Sequence, residues 1–329
     1  MNVCQFKKTN RKKIKPSTKK CLQSKDFFKN VFWKVEIAVV IEITLIFMAK
    51  TKGLKALQLL KRQKTKTIVV RKENISSKYL KREVRIDVYL PSKKINVSDH
   101  ELLLINDGQD LPRMPVPFAV MLDRLIADKS IYPLICAGIY CGEDRMNEYG
   151  TANETDYEGR GAKATLYTQF IFEELLPFLY KKFKISAFKS KSFAGFSMGG
   201  LSALDIVWNY PNQFSKVGIF SGSLWWRSKS YEDGYDENTD RIMHRQIREG
   251  VYQPQLEFFI ECGLLDEAQD RNNNGIIDSI DDAMDLIKEL KKKGYKDEDI
   301  MYLELPDGKH DVPSWAKAFP SFLKWGWKK

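Results

Sequence analysis

The chain has 329 residues, 43% of them hydrophobic, enough for one large globular domain or a domain with an appendage. Its net charge of +11 is unevenly placed: residues 1–66 hold 18 Lys or Arg against three acids (Asp26, Glu36 and Glu42), whereas the remainder holds 36 bases against 40 acids. Lysines scattered through a polar tail beside a mildly acidic body exclude a nucleic-acid-binding role, which needs basic and aromatic residues interleaved on a folded face.

Along the chain, the first apolar run is 35–48. It falls short of the ~20 residues that span a bilayer. It also carries Glu36 and Glu42, each opposing insertion by about 2.5–3.5 kcal/mol. The lysines before it mimic a secretory signal, but no small-residue cleavage site follows, so no membrane association is expected. Met48 is the expected initiator, because MAKTKGLKALQLLKRQKT leads straight into the first strand. Residues 1–47 are then untranslated or a disordered tail, 1–66 a basic extension, and 67–329 the catalytic body. The five cysteines (Cys4, Cys21, Cys136, Cys141, Cys262) are odd in number and lack zinc-like spacing, which argues against a disulfide framework and for a reducing, cytoplasmic compartment.

From residue 67 onward, β-rich segments alternate with helical patterns. Strands are predicted over 67–73 and 83–90 as an antiparallel start, then over 102–105, 134–139, 192–195, 217–220, 257–261 and 301–305. Helices are predicted over 116–128, 165–183, 199–210, 280–293 and 314–325. Near-continuous apolar strands alternating with helices imply an α/β fold, a mainly parallel central sheet with helices on both faces. The polar, Trp-bearing stretch 222–250 reads as an insert after a strand.

The string GFSMG at Gly195 to Gly199 follows an apolar strand and opens onto a helix, the context of a nucleophile elbow. A serine hydroxyl is a weak nucleophile until a strained turn exposes it and a base takes its proton, so Ser197 is the candidate nucleophile. In hydrolases built this way an acid and then a histidine follow in chain order. The strand 257–261 leads into Asp266, and the last strand leads into His310, one of only three histidines. Glu267, Asp270 or an acid after the strand 217–220 compete with Asp266 for the acid role, and His244, in an Arg-rich run, reads as a surface residue.

These residues carry a family resemblance. GFSMGG, GLLD and DGKHD followed by Trp315 resemble the "Putative esterase" family of α/β-hydrolases, which includes enterochelin esterases, S-formylglutathione hydrolases and feruloyl or acetyl-xylan esterases. Tyr167, Phe170, Glu174, Leu175 and Pro177 resemble the helix before the elbow, and Leu102 to Asp110 the strand and turn that complete the oxyanion hole. The resemblance implies an α/β-hydrolase fold and a serine-dependent carboxylic ester hydrolase with a Ser197-Asp266-His310 triad. It implies an oxyanion hole from the amides of Gln109 and Met198, and no cofactor for catalysis. The implied substrate is a small-molecule, carbohydrate or siderophore ester. Acyl transfer to another acceptor, as in mycolyltransferases of similar fold, and a catalytically silent binding module are the competing readings.

Two further features stand out. Asp270-Arg-Asn272-Asn-Asn274-Gly275-Ile276-Ile-Asp278-Ser-Ile-Asp281 fits the twelve-residue calcium-loop template, with Asp281 in place of the usual bidentate Glu. A structural Ca2+ is one expectation and a hydrated Asn/Asp/Gly turn the other. Trp225 and Trp226 read either as a substrate wall or as core anchors. Glu143 and Arg145 read either as substrate contacts or as part of a salt-linked loop. Nothing in the sequence specifies an oligomeric state.

Overall fold

The structure, a computed structural model, describes residues 67–92 and 100–329. The expected basic extension, its 35–48 run and Met48 lie outside the described residues.

Eight strands form one sheet: β1 (Ile68–Ser77), β2 (Arg82–Pro91), β3 (Leu102–Ile105), β4 (Ile135–Ile139), β5 (Lys191–Phe196), β6 (Lys216–Phe220), β7 (Glu257–Leu265) and β8 (Ile300–Lys309), in spatial order β1-β2-β4-β3-β5-β6-β7-β8. β1 and β2 pair antiparallel, β2 joins β4 antiparallel, and every pairing from β4 to β8 is parallel. The runs LLLI, ICAGI and KVGIF are apolar at nearly every position because both their faces are covered.

The crossovers are α1 (Phe118–Ala127), α2 (Ala164–Gln169, continuing through Phe170–Leu175 to Leu176–Phe183), α3 (Met198–Asn209), α4 (Ile242–Glu249, inside the predicted insert) and α5 (Asp278–Lys293), and the chain closes on α6 (Val312–Trp327). Alternate strand residues divide between two cores. Leu102, Leu104, Phe193, Val217 and Ile260 meet α2, α3, α4 and α5 on one face. Leu103, Ile105, Phe196, Phe220 and Phe259 meet α1 and α6 on the other. This is the α/β-hydrolase architecture expected, with helices on both faces.

Three departures have local causes. The single helix predicted over 165–183 loosens into a π turn over Phe170–Leu175, just before Pro177. Proline there lacks an N–H and crowds the carbonyl four residues back, so the ladder widens. β7 and β8 both run about four residues beyond their predicted ends, and their ladder reaches Leu265↔Lys309 through an irregularity between Gly263 and Leu265. His244 is not on the surface: it is 1% exposed, and its Nε2 lies 2.8 Å from the Asp282 carbonyl where α4 packs on α5.

Candidate active site

The elbow is built by steric exclusion. β5 ends at Phe196, and Ser197 takes φ 53° and ψ −125°, a strained conformation for a residue with a Cβ. It persists because both its main-chain groups are held. Its N–H donates to the Phe220 carbonyl at 2.9 Å, and its carbonyl accepts from Gly200 (3.0 Å), Leu201 and Ser223 (both 3.2 Å). A Cβ on Gly195 would lie 2.2 Å from the Gly199 carbonyl oxygen, and one on Gly199 would lie 2.7 Å from Asp107 Oδ2. The turn therefore admits only hydrogen at both flanks.

The extended β7–β8 ladder brings the acid and base candidates together. Leu265 and Lys309 are cross-strand partners, so the next residue of each strand, Asp266 and His310, leaves the sheet at the same rung. Asp266 folds back on its own strand, Oδ2 accepting from the Gly263 amide at 3.1 Å, while Oδ1 is buried without a hydrogen-bond partner. The His310 ring stands edge-on to Trp315, 5.4 Å between centroids. Desolvation by the surrounding protein pulls its pKa below the ordinary histidine value. The Asp266 charge opposes that shift and the Arg145 charge adds to it.

A cleft of 440 Å³ joins these groups. Ser197, Met198, Asp266, His310, Arg145 and Trp225 all line it, together with Met146, Ser221, Ser223, Glu267 and Ser279. Among the described residues no hydrogen bond links Ser197 to His310 or His310 to Asp266; the Ser197 Oγ lies 3.3 Å from the Ser223 Oγ instead. Met198, as the first residue of α3, has a main-chain N–H with no intrahelical acceptor, and the residue is among those lining the cleft.

Gln109 does not line the cleft. Its side chain is tied down, Oε1 accepting from the Cys141 amide and Nε2 donating to Asp107 Oδ1, each at 3.2 Å. Trp226 departs from the substrate-wall expectation. It is 0% exposed, donates from Nε1 to Thr151 Oγ1 at 3.1 Å, and fills the space above Gly150, where a Cβ would come within 2.8 Å of its ring. It is a core anchor, and only Trp225 reaches the cleft, with the Arg160 guanidinium 4.9 Å from its ring. Glu143 is exposed and outside the cleft.

The loop after β4 is salt-linked. Arg82 grips the buried Glu148 at 2.8 and 2.7 Å, and Lys163 holds Asp144. Arg145 clasps Asp107 through Nε and Nη2, both at 2.8 Å, over the ring of Tyr149. Asp107 itself has φ 56° and donates its amide to the Tyr149 hydroxyl at 3.2 Å. Next to it, Asn106 donates to the Gly199 carbonyl at 2.8 Å and accepts from the Tyr167 hydroxyl at 2.5 Å. Asn106 thus fastens the β3 loop to the elbow, and Asp107 fastens it to the loop after β4. Sequence reading missed them as positioning groups, because their partners lie 38 to 93 residues away.

In the Asp270 to Asp281 loop the carboxylate and amide oxygens mostly accept main-chain amides. Asp270 takes those of Asn274 (3.1 Å) and Gly275 (2.8 Å), and Asn274 Oδ1 takes that of Ile276 (2.7 Å). The Asn272 and Asn274 side-chain amides converge on Asp281 Oδ2 at 2.9 and 2.8 Å, and Asp278 Oδ1 accepts from the Arg271 amide at 2.8 Å. Among the described residues no group of three or more His, Cys, Asp or Glu side chains is set to hold a metal.

A serine on such an elbow, with a histidine and a carboxylate in the same cleft, is the arrangement of the serine hydrolases. The family described as "Putative esterase" matches residues 77–325, and the chain belongs to it, and so to the carboxylic ester hydrolases. It is 23% identical over 251 residues to the uncharacterized protein YbbA of Bacillus subtilis (strain 168), covering 73% of this chain and 91% of that one. Among solved structures it is similar to the enterobactin esterase FES from Shigella flexneri, with TM-score 0.57, 21% identity and coverage of 78% of this chain and 58% of that one. The chain therefore spans just under three-fifths of that protein's length. It is also similar to an IroE-like serine hydrolase from Shewanella oneidensis, with TM-score 0.57, 18% identity and coverage of 78% and 79%. Among the described residues no helix is long and apolar enough to cross a membrane.

Proposed function

We propose that the chain is a serine esterase in which Ser197 is the nucleophile, His310 its general base and Asp266 the acid that orients His310. The observation that carries this reading is the convergence of a strained Ser197 with two residues leaving adjacent strands at one rung, all lining a single cleft. In the proposed reaction the Ser197 hydroxyl turns from Ser223 toward His310 and gives up its proton as its oxygen attacks the ester carbonyl. The oxyanion is met by the amide of Met198 and, once the turn after β3 that holds Gln109 outside the cleft moves in, by that of Gln109, each such donor lowering the barrier by about 3 kcal/mol. His310 then protonates the departing alcohol, and water, deprotonated by the same ring, releases the acid from Ser197.

A cleft lined by Met146 and Trp225 as well as by Ser221, Ser223 and Ser279 suits a small-molecule ester with one apolar and one polar part. Siderophore and carbohydrate esters are the classes to try first. The test is a chromogenic ester panel, with and without alcohol or sugar acceptors, beside fluorophosphonate labelling. Hydrolysis together with a label on Ser197 is expected. Transesters as the main product would make the chain a transferase, and neither turnover nor label would leave a binding module.

The base must be neutral to act, and protein around His310 lowers its pKa. kcat/KM is therefore expected to rise with pH through an acid limb whose midpoint lies below about 6.5, the ordinary histidine value. A midpoint above that value would contradict the assignment.

The proposed structural Ca2+ would sit in the Asp270 to Asp281 loop, held by Asp270, Asn272, Asn274, the Ile276 carbonyl, Asp278 and Asp281. The spacing of these donors and Gly275 at φ 84° support it. The Asn272 and Asn274 amides would have to turn their oxygens inward. An ion that binds only the folded chain raises Tm by mass action, so calcium is expected to raise it and a chelator to lower it. The pair Asp270→Ala with Asp278→Ala should abolish the response. Melting curves indifferent to calcium and chelator would leave the loop as a hydrated turn.

A further inference from the structure

Glu261 lies in the middle of β7, 0% exposed, and neither oxygen of its carboxyl has a hydrogen-bond partner among the described residues. The neighbouring amide of Ser221 donates to the Glu261 main-chain carbonyl at 2.8 Å and lies near enough to the carboxyl to favour its charged form, an effect weaker than that of burial. Strand alternation sets Glu261 on the face of Phe259, under the aromatic residues of α6. Around it β6 contributes Phe220 and β8 contributes Leu303, its register partners. The titratable groups that sense it are Cys262 on its own strand, Asp266 just past the end of that strand and Tyr302 on β8, with Glu304 beside them. No Lys, Arg or His is among these groups. The α6 base Lys317 is turned to Asp307 at the surface, 2.6 Å away.

The Asp266 carboxylate lies on this same face. Its Oδ1 is 2.8 Å from where a Cβ on Gly263 would stand, and Gly263 follows Glu261 by two residues, so the two side chains share one side of β7. Asp266 Oδ1 has no donor, and Glu261 has no cation. Two neighbouring anions, one fully buried and one half-buried, are unfavourable, whereas one anion beside one neutral acid completes both groups.

We infer that Glu261 is a positioning residue for the acid limb of the site, a neutral carboxylic acid that supplies a proton donor to the Asp266 face and keeps a second negative charge away from it. The inference rests on Asp266 being the triad acid. It makes catalysis depend on a carboxyl group that must stay protonated while its neighbour stays ionised.

The test is the pH profile of kcat/KM for the full chain and for Glu261→Gln, with Asp266→Asn alongside. Burial, followed by the Asp266 charge, pushes the Glu261 carboxyl up to about 8. The wild type is therefore expected to lose activity on the alkaline side as Glu261 ionises. Glu261→Gln, neutral at every pH, should stay close to wild type near neutrality and lose that alkaline limb. A limb unchanged in Glu261→Gln, or a wild-type profile without one, overturns the inference. Should Glu261→Gln not fold, Glu261→Asp keeps the acid on a shorter stem and is expected to shift the limb and lower kcat at constant KM, and an unshifted limb overturns it equally. If Asp266→Asn is inactive while Glu261→Gln leaves the limb in place, this inference alone fails. If Asp266→Asn keeps full activity, the triad reading fails and takes this one with it.

Discussion

Ser197→Ala is expected to lower kcat by about a million-fold, the scale on which a triad nucleophile is lost, and to leave the melting temperature nearly unchanged. The reason for the second half is local. The Ser197 Oγ makes one long contact, 3.3 Å to the Ser223 Oγ, whereas the strained turn is held by main-chain bonds to Phe220, Gly200 and Leu201 that alanine keeps. Stability should change by no more than about 1 kcal/mol. The checks are ester turnover, mass-resolved fluorophosphonate labelling and a thermal melt on the same preparation. A variant that still labels, or that retains turnover within tenfold or so of wild type, would remove Ser197 from the mechanism.

Gly195→Ala is expected to be the most disruptive of the methyl additions near the site. The new Cβ would lie 2.2 Å from the Gly199 carbonyl oxygen and 2.3 Å from its carbon, both main-chain atoms that cannot rotate away. Relief requires α3 to move off β5, opening the elbow and the Ile219 contact beneath Gly200. Overpacking of this kind costs about 3 kcal/mol or more. Loss of soluble folded protein, or a large drop in denaturation midpoint with activity abolished, is the outcome to look for. Gly326→Ala is the matched control: its Cβ would meet only Lys216 Cδ at 3.5 Å inside α6, and replacing a helical glycine there should stabilise by roughly 0.5–1 kcal/mol. Equal midpoints for the two variants would show that the close approach at Gly195 is not rigid.

What the sequence disclosed follows from the range of the interactions involved. The elbow is local, five residues between a strand and a helix, so GFSMG was readable. The order of Ser197, Asp266 and His310 was readable because parallel strands deliver their loops to one sheet edge. The true ends of β7 and β8 were not, because Gly263, Pro306 and Gly308 are turn formers that only the ladder between the two strands overrides. Trp225 and Trp226 are adjacent in the chain and point opposite ways, one to the cleft and one to the core, which composition cannot decide. The Arg-rich run around His244 looks solvated, and Arg241 indeed carries charge, but inward, to Asp282 and Asp285 at 2.8 Å each. Glu261 read as one more residue of a strand; that no described cation faces it is visible only once β6, β8 and α6 surround it.

Among the described residues β8 borders only β7, so the outer side of the strand that presents His310 has no strand paired to it there, while β5, which presents Ser197, is clasped between β3 and β6. The proposed nucleophile and the proposed base are thus anchored in parts of the sheet with unequal resistance to fraying. On the triad reading, mild thermal or denaturant stress is expected to cost ester turnover before the elbow comes apart, and the turnover is expected to return when the rim closes again.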